Sequence, residues 1–343
     1  MKPRTSLVLL LLGIVALAGG WYFGTAAEPT GSSSVAAGRL AFPDLTARLQ
    51  QAARIDITHQ GKTLTLDRDG DVWGMADRGD YPVQTAKLHA LLTGLAELRL
   101  TERRTADPAE FSRLGVEDPQ ATATSTLLRV LDGQGKPIAE LIVGHQRVRA
   151  EGEVPQQVYV RRPGENQAWL AEGRLEADAD PQLWFDRDLV NIDQSALASV
   201  AITRGEQHLA LRRAGDKLVL EAPADHPALD DQKLADIGHA LEFLSFSDVR
   251  PAGQMPGEAL GQAVFTTTDG LTLTIDVNKA DKDVWARLAA AGDGPAKAQA
   301  DRLDARLKGW AYQVGDYKLA ALLPSMDDLK AAAPSPAPPA DAK

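Results

Sequence analysis

The 343-residue chain is acidic, with 37 lysines and arginines against 47 aspartates and glutamates, and a formal charge of −10. It contains no cysteine, which excludes disulfides, thiolate metal sites, cysteine nucleophiles and a lipid-modified N-terminal cysteine. Without Lys2 and Arg4 the remainder carries −12, a sign that repels phosphate backbones and argues against nucleic acid as a partner.

Leu7 to Gly24 holds no charged residue. As a helix this run would span roughly 27 Å, against a hydrocarbon core of about 30 Å. Trp21, Tyr22 and Phe23 close its far end, and Lys2 and Arg4 precede it. Residues 1–24 therefore read as a single-pass anchor in the inner (cytoplasmic) membrane, crossing through residues 7–24, with the N-terminus in the cytoplasm and the body in the periplasm. The competing reading is a signal peptide cut near Thr25-Ala26-Ala27; the bulky aromatics just before that site favour retention. Residues 25–40, rich in Pro, Gly and Ser, read as a flexible linker reaching about 20 Å.

The first module is expected over residues 41–192. Ile55 and Ile57, then Leu64 and Leu66, alternate with polar residues as half-buried strands do. Gln60-Gly61 and Asp69-Gly70 fall between the runs, where hairpin turns need residues that tolerate positive φ. Val72 and Trp73 open a third strand, and Tyr81-Pro82 breaks the pattern. Leu88, Leu91, Leu92, Leu95 and Leu98 then recur at helical spacing. Further strands are expected over 127–131 and 138–143, then 158–161 and 168–171.

A second module, residues 193–328, repeats this order. At an offset of 145, Val200, Ile202, Leu209, Leu211, Gly215 and Pro227 match Ile55, Ile57, Leu64, Leu66, Gly70 and Pro82. At 146, Lys233, Leu234, Ile237, Leu241 and Leu244 match Lys87, Leu88, Leu91, Leu95 and Leu98, and Leu260-Gly261 lands on Leu114-Gly115. Glycines, a proline and a helix phase matching together point to internal duplication. Residues 329–343, alanine and proline with polar residues, read as a disordered tail. The fold class is α+β: two tandem modules, each an antiparallel sheet packed with one long amphipathic helix.

Several segments resemble the bacterial domain of unknown function 4340 family: Phe42-Pro43-Asp44-Leu45, Trp73, Tyr81-Pro82, Leu114-Gly115-Val116-Glu117-Asp118-Pro119, Leu141-Ile142-Val143-Gly144, Val158-Tyr159-Val160-Arg161 and Ala168-Trp169-Leu170. The likeness covers roughly residues 1–200 and, more loosely, the second copy. It implies no activity and no catalytic residues. Some members look like exported companions of gliding-motility-type ABC transporters.

Asp67-Arg68-Asp69-Gly70-Asp71 resembles part of a calcium loop but lacks the later glutamate, and its counterpart Arg212-Arg213-Ala214-Gly215-Asp216 loses two acids, so a hairpin turn is the better reading. None of the six histidines pairs with another at i, i+4, and no HExxH, GxSxG, SxxK or phosphate-loop pattern occurs. No metal or cofactor is implied. Trp73, Trp169 and Trp285 are expected to pack the helix stripes. Trp184-Phe185, in the acidic connector between modules, is the candidate for an inter-module or partner contact. The leading expectation is a non-enzymatic scaffold or accessory protein with a protein partner in the envelope. The alternatives are a binding module for a glycan or peptide in the groove between modules, and an enzyme whose site assembles only in space.

Overall fold

A computed structural model describes residues 38–147 and 156–331. The expected anchor, most of the linker and residues 332–343 lie outside these. Among the described residues no helix is long and apolar enough to cross a membrane.

Two antiparallel sheets carry the chain. The first contains β1 (Arg39–Leu40), β2 (Ala52–His59), β3 (Lys62–Asp69), β4 (Val72–Met75), β5 (Tyr81–Pro82), β6 (Arg99–Arg103), β7 (Thr126–Asp132), β8 (Pro137–Arg147), β9 (Gln157–Arg161) and β10 (Ala168–Glu172). Their spatial order is β1-β6-β10-β9-β8-β7-β2-β3-β4-β5. The second contains β11 (Asp188–Val190), β12 (Leu197–Arg204), β13 (Gln207–Ala214), β14 (Lys217–Ala222), β15 (Leu244–Pro251), β16 (Glu258–Thr267), β17 (Thr272–Ala280), β18 (Asp283–Ala291) and β19 (Trp310–Val314). Its order is β11-β15-β19-β18-β17-β16-β12-β13-β14. Strand for strand the two orders coincide, except that β5 has no counterpart.

The alternation read from sequence sets the register. Ile55 stands opposite Leu66 and Ile57 opposite Leu64, and in the second sheet Val200 stands opposite Leu211 and Ile202 opposite Leu209. All eight side chains are buried. Over the first sheet lies α1 (Thr85–Glu97), with Leu88, Leu91 and Leu95 buried; each contributes roughly 1.5–3 kcal/mol on burial, before entropy. The second sheet carries α2 (Asp231–Gly238) and, between β18 and β19, α3 (Lys297–Leu307).

Several expectations need correction. The second copy of the long helix has only eight residues: Leu241 lies beyond it and Leu244 opens β15. Leu98 likewise follows the end of α1. Leu260-Gly261 sits inside β16, whereas Leu114-Gly115 ends the short helix Phe111–Leu114 ahead of β7, so that match was accidental. Arg39–Leu40 is a strand paired with β6, not linker. Asp188–Val190 pairs with β15 and so belongs to the second sheet, not the first module. Leu329 is buried and Lys330 bridges Leu229, which ties the start of the supposed tail to the body.

Candidate functional site

The segment from β4 to α1 folds as it does because its turn must touch the second sheet. After β4 the chain makes the helical turn Ala76–Arg78 and reaches Gly79 at φ 68. A side chain at Gly79 would collide with the Pro251 ring at the end of β15. Beside this close approach the Arg78 Nε donates to Asp248 Oδ1 at 2.5 Å, both side chains about a fifth exposed.

Tyr81 then enters a box of aromatic rings. Its neighbours are Phe185 at 5.5 Å, Phe246 at 5.8 Å, Trp310 at 4.8 Å and Tyr312 at 6.2 Å between ring centroids, all edge-on. Phe246 also lies 5.0 Å from Tyr312. Such pairs add about 0.5–1.5 kcal/mol each beyond area burial. The box joins β5 of the first sheet to β15 and β19 of the second through the connector.

Trp184 and Phe185 are 0% and 1% exposed. The Trp184 carbonyl accepts from the Gln84 N–H at 2.8 Å, its indole Nε1 donates to the Asp178 carbonyl at 2.9 Å, and the Phe185 carbonyl accepts from the Gln84 side chain. Lys87 reaches across from α1 to Asp178 at 2.6 Å, with its ammonium 5.3 Å from the Trp184 ring. Fully covered side chains offer nothing to a separate protein, so the partner-contact alternative is corrected: both residues are spent inside the molecule, between α1 and the aromatic box.

Against this box lies a cleft of about 580 Å³, lined by both modules and the connector. Gln84 and Thr85 from the start of α1, Asp186 from the connector, Asp188 from β11 and Arg306 from α3 form its exposed polar rim, and half-buried Trp310 also lines it. The Arg306 guanidinium donates to the Leu189 carbonyl, which fixes α3 against β11. Burial pushes the Tyr312 phenol far above its ordinary value. Burial also raises Tyr81, with the neighbouring Tyr312 phenol acting in the opposite direction. Both phenols stay neutral across the physiological range, so they serve as hydrogen-bonding and packing groups rather than as bases. A mixed aromatic, amide and carboxylate rim suits a polar ligand held by stacking and hydrogen bonds.

Four segments of the family resemblance, around Val116, Ile142, Arg161 and Ala168, meet elsewhere. Arg161, 3% exposed, lies over the Phe111 ring at 4.5 Å. Its Nε donates to the Val116 carbonyl at 2.7 Å, Nη1 to the Glu165 carbonyl at 2.9 Å and Nη2 to Asp118 at 2.5 Å. Phe111, Val116, Ile142 and Ala168 form a small separate core beside it. Glu117 accepts from the Thr124 N–H at 2.7 Å and from the Thr124 hydroxyl at 3.1 Å. Burial acts to raise this carboxyl, but its own backbone N–H, the two Thr124 donors and the Ser125 N–H together outweigh it and hold it below the usual value. The motifs thus clasp residues 105–125 to the outer side of β8, β9 and β10.

The remaining sequence candidates stay apart. Asp67 turns to Arg54 at 2.7 Å, away from the β3–β4 turn, so the would-be calcium loop is a hairpin. Trp169 sits between the guanidiniums of Arg39 and Arg103 at 4.9 and 5.3 Å, and Trp285 under Arg250 at 5.5 Å. Trp73 lines a groove with Leu88 and Leu92 of α1. From sequence, Tyr81 stands out only in the Tyr81-Pro82 break and family segment, and neither it nor Arg306 nor Trp310 is a candidate site residue. The signal for Tyr81 was present in the repeat, because its counterpart at offset 145 is His226 while the following proline is kept.

The family described as Domain of unknown function (DUF4340) matches residues 73–263, more than half of the chain. The chain belongs to the DUF4340 family. The matched span runs from β4 into β16, so it takes in the clasp, the connector and the first-module side of the cleft, and straddles both sheets. No curated protein and no solved structure matches the chain.

Proposed function

We propose that this DUF4340 chain is a non-catalytic accessory protein of an envelope complex, of the ABC-transporter type, held at the inner membrane through residues 7–24 with its two-sheet body in the periplasm. The observation that carries this reading is where the family motifs are used. Arg161 of β9 fastens a surface segment to a sheet through Val116 and Asp118, Glu117 ties that segment to itself at Thr124, and the aromatic box fixes one sheet to the other. A body pinned at both places is a fixed platform, which suits holding other proteins in register. Extraction of the full-length chain in mild detergent is expected to recover it with a stoichiometric membrane partner. Recovery of the lone chain under several extraction conditions would count against the reading, as would a C-terminal reporter active only in the cytosol.

A second reading has its own support in the cleft: its rim joins Trp310 to Gln84, Asp186 and Asp188, a combination that can stack and hydrogen-bond a glycan or an extended peptide. Cell-wall glycan fragments or peptides would then quench tryptophan fluorescence saturably, and Trp310→Ala would abolish the response. Equal quenching in the variant would remove this reading.

A further inference from the structure

In the first sheet the chain closes its own edge. Gly74 and Met75 of β4 pair with Pro82 and Tyr81, the Asp80 N–H donates to the Met75 carbonyl, and the Val83 N–H to the Trp73 carbonyl, both at 3.0 Å. The return passes so close that any side chain at Gly74 would collide with the Asp80 carbonyl. At offset 145 the second sheet has Val219 in that place, and its side chain excludes the same tight return. The segment equivalent to β5 goes elsewhere. Leu229 bridges Lys330, the Asp230 N–H donates to the Leu329 carbonyl, and the Ala331 N–H to the Ala228 carbonyl, both at 2.9 Å. Among the described residues, no backbone hydrogen bond joins the outer edge of β14 to another segment. An edge of this kind is a template for another strand.

We propose that β14 is a self-association edge, through which two copies of this chain pair antiparallel about a two-fold axis at Val219. The strand reads Lys217-Leu218-Val219-Leu220-Glu221. Turned about that axis, it sets Lys217 opposite Glu221 of the second copy twice, Leu218 opposite Leu220 twice, and Val219 opposite itself. Opposite charges and apolar pairs directly across a ladder stabilise it, and like charges destabilise it. Leu218 is buried and Leu220 half-buried on one face, while Lys217 and Glu221 are exposed on the other, so the pairing extends both faces of the sheet without a mismatch. The present partners of the two charges, Asp231 at 3.5 Å and Arg212 at 3.2 Å, form exposed surface pairs that exchange at little cost. Because the contact is isologous it closes at two copies.

The absence of cysteine makes the register directly testable in the full-length chain in mild detergent. Val219→Cys is expected to give a disulfide-linked dimer under mild oxidation, since paired positions hold their Cβ atoms about 4.5–5.5 Å apart. Lys217→Cys should not link, because its two copies would stand about 14 Å apart along the strands. No link at 219, or equal linking at both positions, overturns the proposal. Without oxidant, sedimentation should show a concentration-dependent dimer, and Lys217→Glu or Glu221→Lys alone should weaken it roughly three- to tenfold. The double exchange should restore it, although it leaves both intrachain pairs broken. A monomer at every concentration, or a dimer indifferent to the single exchanges, refutes the pairing.

Discussion

Residues 104–125 separate β6 from β7 in the first sheet, where only residues 252–257 separate β15 from β16 in the second. Residues 162–167 join β9 to β10, while residues 292–309, with α3, join β18 to β19. One strand order has thus been elaborated in opposite places. The first module's extra chain is fastened down by the Arg161 clasp and closes a small core of its own. The second module's extra helix stands at the junction and supplies Arg306 to the cleft. The two sheets share one strand order, and each insertion is used differently: one closes a small core, the other brings Arg306 to a cleft also lined from α1, β5, β11 and β19.

The largest way to break the comparison is to unlink the copies. Tyr81 has no aromatic counterpart in the second module and lies within the box built by the other sheet. Tyr81→Ala should cost about 3–5 kcal/mol, as large aromatic truncations in cores do. It should also split urea unfolding into two transitions, one for each sheet. A single unshifted transition would mean the modules are coupled by something other than this ring.

A smaller effect, confined to one copy, is expected from Arg161→Ala. It leaves the Val116 and Glu165 carbonyls without their donor and should cost roughly 2–3 kcal/mol. Hydrogen exchange should rise across residues 105–125 and stay unchanged over β12 to β18. A rise in both sheets would show that the clasp also supports the junction.

Much of this frame was legible beforehand. Strands β2 and β3 follow from period-two alternation between turn residues, because their pattern answers to burial on one face, and β7 to β10 follow from short apolar runs bounded by turn residues. The early match of Ile55, Leu64 and Gly70 to Val200, Leu209 and Gly215 reports a shared sheet. Strands β6 and β15 escaped because Leu98 and Leu244 continue the apolar phase of the helices before them. The cleft was least legible. Tyr81, Arg306 and Trp310 lie far apart in the chain and meet only because one sheet docks on the other, which no local period records. Trp184 and Phe185 lie beside the junction, but sequence could not say that the connector folds inward and covers them.

Gly74→Val tests whether one residue decides which edge is closed. The new side chain would meet the Asp80 carbonyl and displace β5, at roughly 1–3 kcal/mol for overpacking. Exchange at Tyr81–Val83 should rise, and the first sheet should acquire an open edge like that of β14. Unchanged protection there would show that the tight return bends to admit a side chain, and that Val219 alone does not account for the open edge.

The smallest effect concerns how the C-terminal segment holds residues 228–230 away from β14. Ser325 caps the helix Met326–Leu329 in a capping box with Asp328, and Arg204 reaches Asp328 at 3.1 Å. The Ser325 hydroxyl and backbone N–H, aided by Arg204, hold the Asp328 carboxyl below its ordinary value of 3.8. A group depressed in the folded state stabilises it above the unfolded value and loses that contribution as pH falls through the folded value. The second sheet's melting temperature should therefore fall on acidification below about 3.8, the ordinary value of this carboxyl. Asp328→Asn should lower it at neutral pH by no more than about 1 kcal/mol, since the side chain is partly exposed, and should flatten the acid slope. If the variant retains the full slope, acid loosens the second module at some other carboxylate, such as Glu242, which the Gln194 N–H and then His239 likewise hold low.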